Sequence, residues 1–327
     1  MPTPASPTVP ATGPAQLPAV VPAYAGEHGI DAEQLEAARI RLELLYGEVA
    51  ADWPGFVARP GQYEMMQACL LTFLSARASE DTDRSGSHLA QLEAGTGTGT
   101  GKTVAYCLAA IVAAEVLKKT VMISTATVAL QEQLIHKDLP RLSSIIPELT
   151  FDILKGRARY VCQSRLEGVI EGIVAGSELA GELQDLFADS RRPAASVVRD
   201  RQAAMRWFKS SAKKLNAGAW DGDIDSLAQS PDPQDWRQVQ ANAHACNGGQ
   251  CQHFRDCAFF KARRQAADAT LQVANHALVL ATLQTDSRLI DAGATLFVFD
   301  EAHHLPVIAA EQFSYRARLG ASTRLLF

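Results

Sequence analysis

The run from Glu93 to Thr103, EAGTGTGTGKT, constrains this chain more than any other stretch. It ends in Gly-Lys-Thr, the end of a phosphate-binding loop, in which glycine amides and a helix N-terminus surround an anion. The Walker A spacing places a small residue five positions before the glycine of Gly-Lys-Thr, and here that position is Thr96. The run therefore has the chemistry of a phosphate site but not its usual spacing.

The second half of this run carries the candidate nucleotide-binding residues. Lys102 is predicted to reach the β and γ phosphates, and Thr103 is predicted to hold Mg²⁺. Gly99, Thr100 and Gly101 are predicted to supply main-chain amides. A flexible glycine-rich linker is the alternative, but linkers do not usually lie between an apolar strand and an alanine-rich helix.

Alternating strand and helix patterns surround the run and predict an α/β fold in which helices cover a parallel sheet. The apolar segment LAQLEA precedes the run, and the helical pattern KTVAYCLAAIVAAEVL overlaps its end. Four later segments continue the alternation, namely the strand TVMIST, the helix VALQEQLIHKDL ending before Pro140, the strand-to-helix pattern LQVANHALVLATL and the strand TLFVF.

The strand TLFVF runs directly into Asp300 and Glu301. A buried strand that presents a carboxylate at its end is typical of a Walker B element, so Asp300 is predicted to bind Mg²⁺ and Glu301 to act as the base. An acidic pair alone is more often a solvated helix N-terminus. The presence of the phosphate-loop candidate favours the catalytic interpretation.

The N-terminal region predicts a disordered tail followed by two helices. Seven prolines lie within the first 22 residues, so residues 1–28 are expected to lack regular structure. Asp31 then caps a helix with an apolar face, and a second helix is predicted over 62–76; the apolar face consists of Leu35, Ala38, Leu42, Leu45 and Val49. Because the chain has neither a basic secretory start nor an apolar run of roughly 20 residues, we predict a cytoplasmic protein.

Six cysteines fall into two groups. Cys69 and Cys107 lie in apolar helical patterns and are predicted to pack in the core. The other four leave 83, 4 and 5 residues between successive members and are predicted metal ligands, namely Cys162, Cys246, Cys251 and Cys257. Zinc, an iron-sulfur cluster and unrelated buried thiols all remain open. His244 and His253 are predicted to be surface residues.

These four cysteines lie in a segment, 151–267, whose composition departs from the sheet pattern and predicts an inserted, mainly helical domain. We expect this polar segment to depend on its metal in place of a core of its own.

Two basic clusters flank the cysteines. The first cluster, near Tyr160, is Lys155, Arg157, Arg159 and Arg165, and the second is Arg255, Lys261, Arg263 and Arg264. Such charges usually form a solvated face, but here they converge on one candidate metal site, and Tyr160 is a candidate for stacking a base of single-stranded DNA. The net charge of -5 gives no global sign of nucleic-acid binding.

Together these motifs resemble the DinG/XPD group of iron-sulfur DNA helicases in superfamily two, over about residues 57–320. The matching stretches are RPGQYEMM, EAGTGTGTGKT, STATVALQEQL, KGRARYVC with the three later cysteines, NHALV and DEAH. The resemblance implies a RecA-like motor lobe that hydrolyses ATP with Mg²⁺ and moves 5′ to 3′ on single-stranded DNA, in repair or replication, as a monomer. It also implies that Arg59 and Gln62 lie at the adenine, that His303 of DEAH contacts the nucleotide, and that the four cysteines hold a four-iron four-sulfur cluster.

Two departures from the family pattern shape the expectations. The run carries one Gly-Thr pair more than the family's usual form, so we expect weakened ATP binding. The resemblance divides the chain into motor-lobe residues 29–150 and 268–308 around the insertion, with 309–327 as the start of a truncated arch region, so we expect no unwinding by the chain alone. The alternatives are a non-catalytic iron-sulfur DNA-binding remnant and a zinc-stapled NTPase unrelated to helicases.

Overall fold

The computed structural model describes residues 32–75, 91–92, 101–172, 195–284 and 290–314. These residues fall into two compact units, described separately below. The first comprises the described residues up to Lys119 together with Arg141–Pro147, and the second comprises Thr120–Pro140 and the described residues from Glu148 onward. No helix within the described ranges is long and apolar enough to cross a membrane.

The first unit is built from three helices, α1 (Ala32–Asp52), α2 (Pro60–Ser75) and α3 (Lys102–Leu117). All five predicted apolar positions of α1 are buried. Helix α3 has the predicted bounds, and every residue from Val104 to Ala114 is buried. Because its side chains are small, neighbouring helices can approach it closely. The predicted tail, Asp31 and most of LAQLEA lie outside the described residues, while Gln91 and Leu92 have no regular secondary structure.

The second unit contains a four-stranded sheet with the order β2-β3-β1-β4, in which every pairing is parallel. The strands are β1 (Thr120–Thr125), β2 (Phe151–Ile153), β3 (Leu271–Asn275) and β4 (Thr295–Phe299). Within this unit, helices α4 (Val128–Gln133), α9 (Ala258–Ala267) and α10 (His276–Gln284) contact the sheet. The predicted α/β fold with a parallel sheet flanked by helices is therefore confirmed.

The sheet core explains why these strands form. Met122, Ala274 and Leu154 are buried together with Ala266 and Val279, and Phe297 and Phe299 pack against them. Since the strands are parallel, their carboxyl ends lie at one edge, where Ser124 is in register with Ala274 and Phe299. Ligands of open parallel sheets bind outside this edge.

The predicted helix that ends before Pro140 is wrong in its C-terminal half. Helix α4 is followed by a π-helical turn, Leu134–Asp138, and then by α5, Leu139–Ile145, which contains Pro140. The π turn shifts the hydrogen bond of the Leu139 N–H to the carbonyl of Leu134. A new helix therefore starts at Leu139, and a proline in a first helical turn loses no hydrogen bond.

The insertion lies between β2 and β3. Its helical residues are 163–172 (α6), α7 (Ala195–Asn216), α8 (Pro233–Val239) and α9, with 3-10 turns at Arg157–Arg159, Ile224–Ser226 and Gly248–Gln250. Residues 151–153, which the sequence assigned to the insertion, instead form β2 of the sheet. After β3 come α10, a 3-10 turn at Ala292–Ala294, β4, a second such turn at Ala302–His304 and α11 (Leu305–Phe313).

The expectation that the insertion lacks a core is wrong. A hydrophobic cluster, Val161, Leu166, Phe208, Trp220, Trp236 and Val239, is buried within it. Both indole N–H groups are satisfied, Trp220 by the carbonyl of Asp223 at 2.8 Å and Trp236 by that of Ala158 at 2.9 Å. Composition concealed this core because its few large apolar residues are separated by many polar ones.

Candidate functional site

The described part of the phosphate-loop candidate begins at Gly101, which caps the N-terminus of α3. Its backbone is left-handed, with φ of 75°, and glycine adopts this conformation without strain. Lys102 and Thr103 follow in the first turn and are half-buried. The predicted ligands Gly99 and Thr100 lie outside the described residues.

Gln62 of α2 braces this end of the loop. Its Nε2 donates to the carbonyl of Gly101 at 3.0 Å, and its Oε1 accepts from the Tyr46 hydroxyl at 3.1 Å. A Cβ atom on Gly101 would stand 2.2 Å from Gln62 Nε2. Gln62 is only 4% exposed. A side chain at position 101 would therefore displace the Gln62 amide, and the left-handed backbone favours glycine there.

The resemblance places Gln62 and Arg59 at the adenine. In the structure the Gln62 amide is engaged by Tyr46 and Gly101, while Arg59 is exposed just before α2. The main chain of Arg59 also hydrogen-bonds to the Tyr46 oxygen, although burial has the larger effect and raises the pKa of Tyr46. An adenine role for either side chain remains a prediction.

The DEAH residues follow β4 at the carboxyl edge of the sheet. The Asp300 N–H donates to the carbonyl of Ser124 at 2.8 Å, which ties the turn to β1. Glu301 has a left-handed backbone, with φ of 55°, a conformation that costs energy for any residue with a side chain. Its carboxylate lies 3.3 Å from Nδ1 of His303, which is exposed. Asp300 and Glu301 are half-buried.

A Ser-His pair behind this turn was missed by the sequence reasoning. His276, the first residue of α10, and Ser124 of β1 are both fully buried, and His276 Nδ1 lies 2.6 Å from Ser124 Oγ. His276 Nε2 is buried without a hydrogen bond. Burial lowers the pKa of His276, and the main chains of Asp300 and Glu301 oppose that shift. The only signal was the stretch NHALV, to which no role was assigned.

The four candidate ligand cysteines lie within the insertion, and all four are half-buried. Burial raises the pKa of Cys162, and the thiols of Cys257, Cys251 and Cys246 raise it further. Two polar contacts hold the sulfurs, from the Gly248 N–H to Cys246 Sγ at 3.4 Å and between Ser164 Oγ and Cys251 Sγ at 3.5 Å.

Two kinds of metal group commonly take four thiolate ligands, a zinc ion and an iron-sulfur cluster. A tetrahedral zinc site brings its sulfurs to about 2.3 Å from one centre. No three or more His, Cys, Asp or Glu side chains in the described ranges are arranged to hold a metal ion. Four thiols match an iron-sulfur cluster in number and chemistry. The residues therefore fit such a cluster as donors, although they are not gathered around a single ion.

The other two cysteines pack in the first unit as predicted. Cys107 in α3 is fully buried, and Cys69 in α2 is nearly so. Burial raises the pKa of the Cys69 thiol to about 12. A thiol in this environment is protonated and unreactive.

Three cations of the first basic cluster are paired within the insertion, which the sequence did not predict. Lys155 contacts Asp223 and also Asp225, the latter at 2.9 Å, and Arg159 pairs with Asp225 as well. Arg165 donates to the carbonyls of Gln240 and Arg237 at 2.9 and 3.1 Å. These three cations join distant parts of the insertion.

Tyr160 does not offer a face to a base. It is 5% exposed and packs edge-on against Phe259, with ring centroids 5.8 Å apart. Burial, more than the nearby Asp223, raises the pKa of its hydroxyl. The predicted stacking role of Tyr160 is therefore wrong in this structure.

The second basic cluster lies over aromatic rings. Arg157, from the first cluster, stands 4.2 Å from the centroid of Phe259, and Arg263 stands 5.3 Å from it. Arg264 stands 6.0 Å from the centroid of Phe254 and donates to the carbonyl of Arg255 at 2.7 Å. Burial, and secondarily Arg157, lowers the pKa of Arg263. Arg255, Lys261 and Arg264 are exposed.

The two histidines near the cysteines differ. His244 is exposed, as predicted. His253 is half-buried and lies 2.8 Å from Glu167 of α6, so it joins that helix to the cysteine-bearing loop.

Comparison with known proteins gives consistent names. No protein-family model matches the chain. It is 33% identical over 286 residues to ATP-dependent DNA helicase DinG of Salmonella typhimurium strain LT2, a match covering 88% of this chain and 37% of that protein. The protein of the same name from Escherichia coli strain K12 is 33% identical, with 87% and 37% covered. That from Photobacterium profundum is 39% identical, with 70% and 31% covered. The chain thus spans about a third of these relatives' length, and the predicted resemblance is confirmed.

Proposed function

We propose that this chain, DinG-like in sequence, is the ATP-binding part of an ATP-dependent DNA helicase. The observation that carries the proposal is the parallel sheet that ends in Asp300 and Glu301, in a chain whose helix α3 begins with Gly101-Lys102-Thr103. Mg²⁺ would be held by Thr103 and Asp300, Lys102 would bind the phosphates, and Glu301 would take the proton of the attacking water.

The nucleic-acid substrate is proposed to be single-stranded DNA, or DNA with a single-stranded tail. Arg157, Arg263 and the exposed Arg255, Lys261 and Arg264 give a set of cations on one segment of the insertion. Such a set binds a phosphate backbone without sequence preference. Movement from 5′ to 3′, a role in repair or replication, a monomeric state and a cytoplasmic location are part of the same proposal.

Cys162, Cys246, Cys251 and Cys257 are proposed to hold a four-iron four-sulfur cluster. When bound, the cluster supplies a four-point link between the start of the insertion and its last third. Gly248 would donate to the Cys246 sulfur, as it does to the thiol, and the Ser164 hydroxyl would donate to the Cys251 sulfur beside it. The insertion's own core makes the cluster an addition to the fold of this segment rather than a substitute for one.

Hydrolysis of MgATP by the purified 327-residue chain, with and without single-stranded DNA, tests the proposal. Glu301→Gln is expected to lower the rate by about 10² to 10⁴ while retaining ATP binding, since it removes a general base. Lys102→Ala is expected to weaken ATP binding as well, and Lys119→Ala, near the other end of α3, serves as the control. Equal rates in the Glu301→Gln and unaltered chains would overturn the catalytic assignment.

The extended spacing at Thr96 favours one alternative, an iron-sulfur DNA-binding protein without hydrolysis. In that case the chain binds single-stranded DNA but neither binds nor hydrolyses ATP, and deletion of one Gly-Thr pair restores ATP binding. Visible absorption and metal analysis separate both functions from a zinc protein. Cys251→Ser is expected to remove the iron and Cys69→Ser to leave it, and the opposite pattern would contradict the ligand assignment.

A further inference from the structure

The buried pair formed by His276 and Ser124 has no part in the proposed chemistry, yet it lies directly behind the Asp300–Glu301 turn. Both side chains are fully buried in a sheet core that is otherwise apolar at this point. The His276 ring packs beside Phe299, the last residue of β4, with centroids 5.9 Å apart. A buried imidazole at this position needs partners, because an unpaired polar group in a core is destabilising.

The hydrogen bond made by one ring nitrogen of His276 bears on which nitrogen carries the proton. Nδ1 lies 2.6 Å from Ser124 Oγ, whereas Nε2 has no hydrogen bond. Because burial lowers the pKa of His276, the ring is neutral and carries one N–H. If the Ser124 hydroxyl donates to Nδ1, that N–H is on Nε2.

The main chain of the turn lies beside the imidazole ring. The main chains of Asp300 and Glu301 favour the protonated ring, while Nε2 itself has no hydrogen bond. The same turn is tied to β1 on its other side, through the Asp300 N–H and the Ser124 carbonyl at 2.8 Å. Ser124 therefore has two contacts. Its main-chain carbonyl binds the turn, and its hydroxyl binds the His276 ring.

Glu301 has the most strained backbone of this turn. Its left-handed backbone, with φ of 55°, is maintained by surrounding contacts rather than by preference. A hydrogen bond from Nε2–H to a main-chain carbonyl of this turn would satisfy the buried donor.

We infer that His276 is a positioning residue: braced by Ser124, it holds the main chain of the Asp300–Glu301 turn through Nε2. This role rests on the proposed function only for its catalytic consequence. By fixing the main chain, His276 sets the direction of both carboxylates, and a misplacement of about 1 Å at a reacting centre costs roughly 10²-fold in rate.

Two substitutions separate the two ring nitrogens. His276→Asn retains a polar atom near Nδ1, which Ser124 can reach, and removes Nε2. His276→Gln extends an amide to the position of Nε2. Val273→Ala, at a fully buried site of β3 in the same sheet, is the control for a general loss of stability.

The first measurement is hydrogen-deuterium exchange of the full chain, followed in the peptide that spans residues 296–304. His276→Asn is expected to raise exchange of the amides after Asp300 at least tenfold, His276→Gln to remain within about threefold of the unaltered chain, and Val273→Ala to raise exchange throughout the sheet without singling out the turn. Unchanged exchange of the turn in His276→Asn would overturn the inference, as would equal changes in the Asn and Gln variants. If His276→Asn does not fold, Ser124→Ala, which removes the brace, is expected to raise exchange of the same amides, and no rise would overturn it.

The second measurement is steady-state ATP hydrolysis, which tests the catalytic consequence. His276→Asn is expected to lower kcat by about 10- to 100-fold with KM within about twofold, and His276→Gln is expected to restore most of the rate. A loosened turn with unchanged kcat would overturn the catalytic consequence. A chain that never hydrolyses ATP but shows the expected exchange pattern refutes the proposed function and leaves the positioning role supported.

Discussion

The two basic clusters of the insertion contain the same residue types and lie in different surroundings. Lys155, Arg159 and Arg165 of the first cluster end on carboxylates and carbonyls of their own segment. The cations of the second cluster lie over phenylalanine rings or are exposed to solvent. Arg157 belongs to the first cluster in sequence and to the second in space. The partners of each cation therefore distinguish the structural cations near the cysteines from the candidates for DNA binding.

The acidic turn that neutralises the first cluster explains the difference. Asp223 and Asp225 lie 68 and 70 positions from Lys155 in the chain. Asp223 is itself ordered, because its main-chain N–H bonds to Asp221 and its carbonyl accepts the Trp220 indole. The same tryptophan belongs to the insertion's core, so this ion-pair network and the core stabilise each other.

The largest expected effect is on stability, from Lys155→Met. The side chains of Lys155 and Asp223 are 18% and 12% exposed, so removal of the lysine leaves a carboxylate nearly buried without its cation. We expect the free energy of unfolding of the insertion to fall by about 3 kcal/mol, at the lower end of the range for buried ion pairs. Urea unfolding followed by the fluorescence of the buried Trp220 and Trp236 measures it.

Lys261→Met is the matched control for this substitution, because Lys261 is an exposed lysine of the second cluster. Its effect on unfolding is expected to stay within about 0.5 kcal/mol. Similar losses from the two lysine substitutions would erase the structural distinction between the clusters.

An intermediate effect is expected on DNA affinity, from a pair of arginines. Arg263→Ala removes a cation held over Phe259 and is expected to weaken binding of single-stranded DNA about tenfold, or about 1.4 kcal/mol, because a phosphate contact is lost. Arg159→Ala is expected to leave affinity unchanged and to lower stability by at most about 1 kcal/mol, because its side chain is 46% exposed.

Fluorescence anisotropy with a labelled oligonucleotide measures both arginine variants under one salt condition. The comparison between the clusters fails if Arg159→Ala weakens DNA binding as much as Arg263→Ala does.

The smallest expected effect is on the salt dependence of DNA binding, from Lys261→Gln. If Lys261 neutralises one phosphate, the slope of log Kobs against log salt concentration should become less steep by about 0.7, the value for a single strand. Lys213→Gln, at an exposed position of α7 outside both clusters, should leave the slope as it was. Equal slopes for the unaltered chain and both variants would show that Lys261 does not contact a DNA phosphate.

Local patterns predicted much of the sheet unit and of α3. The helix Lys102–Leu117 and the strands Thr120–Thr125 and Thr295–Phe299 have the bounds that their apolar runs indicated. Their apolar runs are continuous, so the local hydrophobic pattern is enough to predict them. The helix through Pro140 was misjudged because the π turn that accommodates the proline leaves no mark in the apolar pattern.

The candidate site divides in the same way. Gly101, Lys102, Asp300 and Glu301 were predicted from sequence because phosphate and Mg²⁺ chemistry requires those residue types at fixed points of a strand and a helix. The Ser124–His276 contact joins residues 152 positions apart. It has no local signature, since neither residue type is unusual where it stands.

The sequence by itself determined the α/β class, the elements with continuous apolar patterns, the residue types at the nucleotide site and the set of four cysteines. Only the tertiary structure decided which cations bind carboxylates, that Tyr160 is buried, that the insertion has its own core and that a histidine lies behind the Asp300–Glu301 turn. The physical reason is that burial and pairing depend on neighbours brought from distant positions. The same lysine or histidine changes its role with the charge and dielectric around it, whereas strand and helix formation depends mainly on adjacent residues.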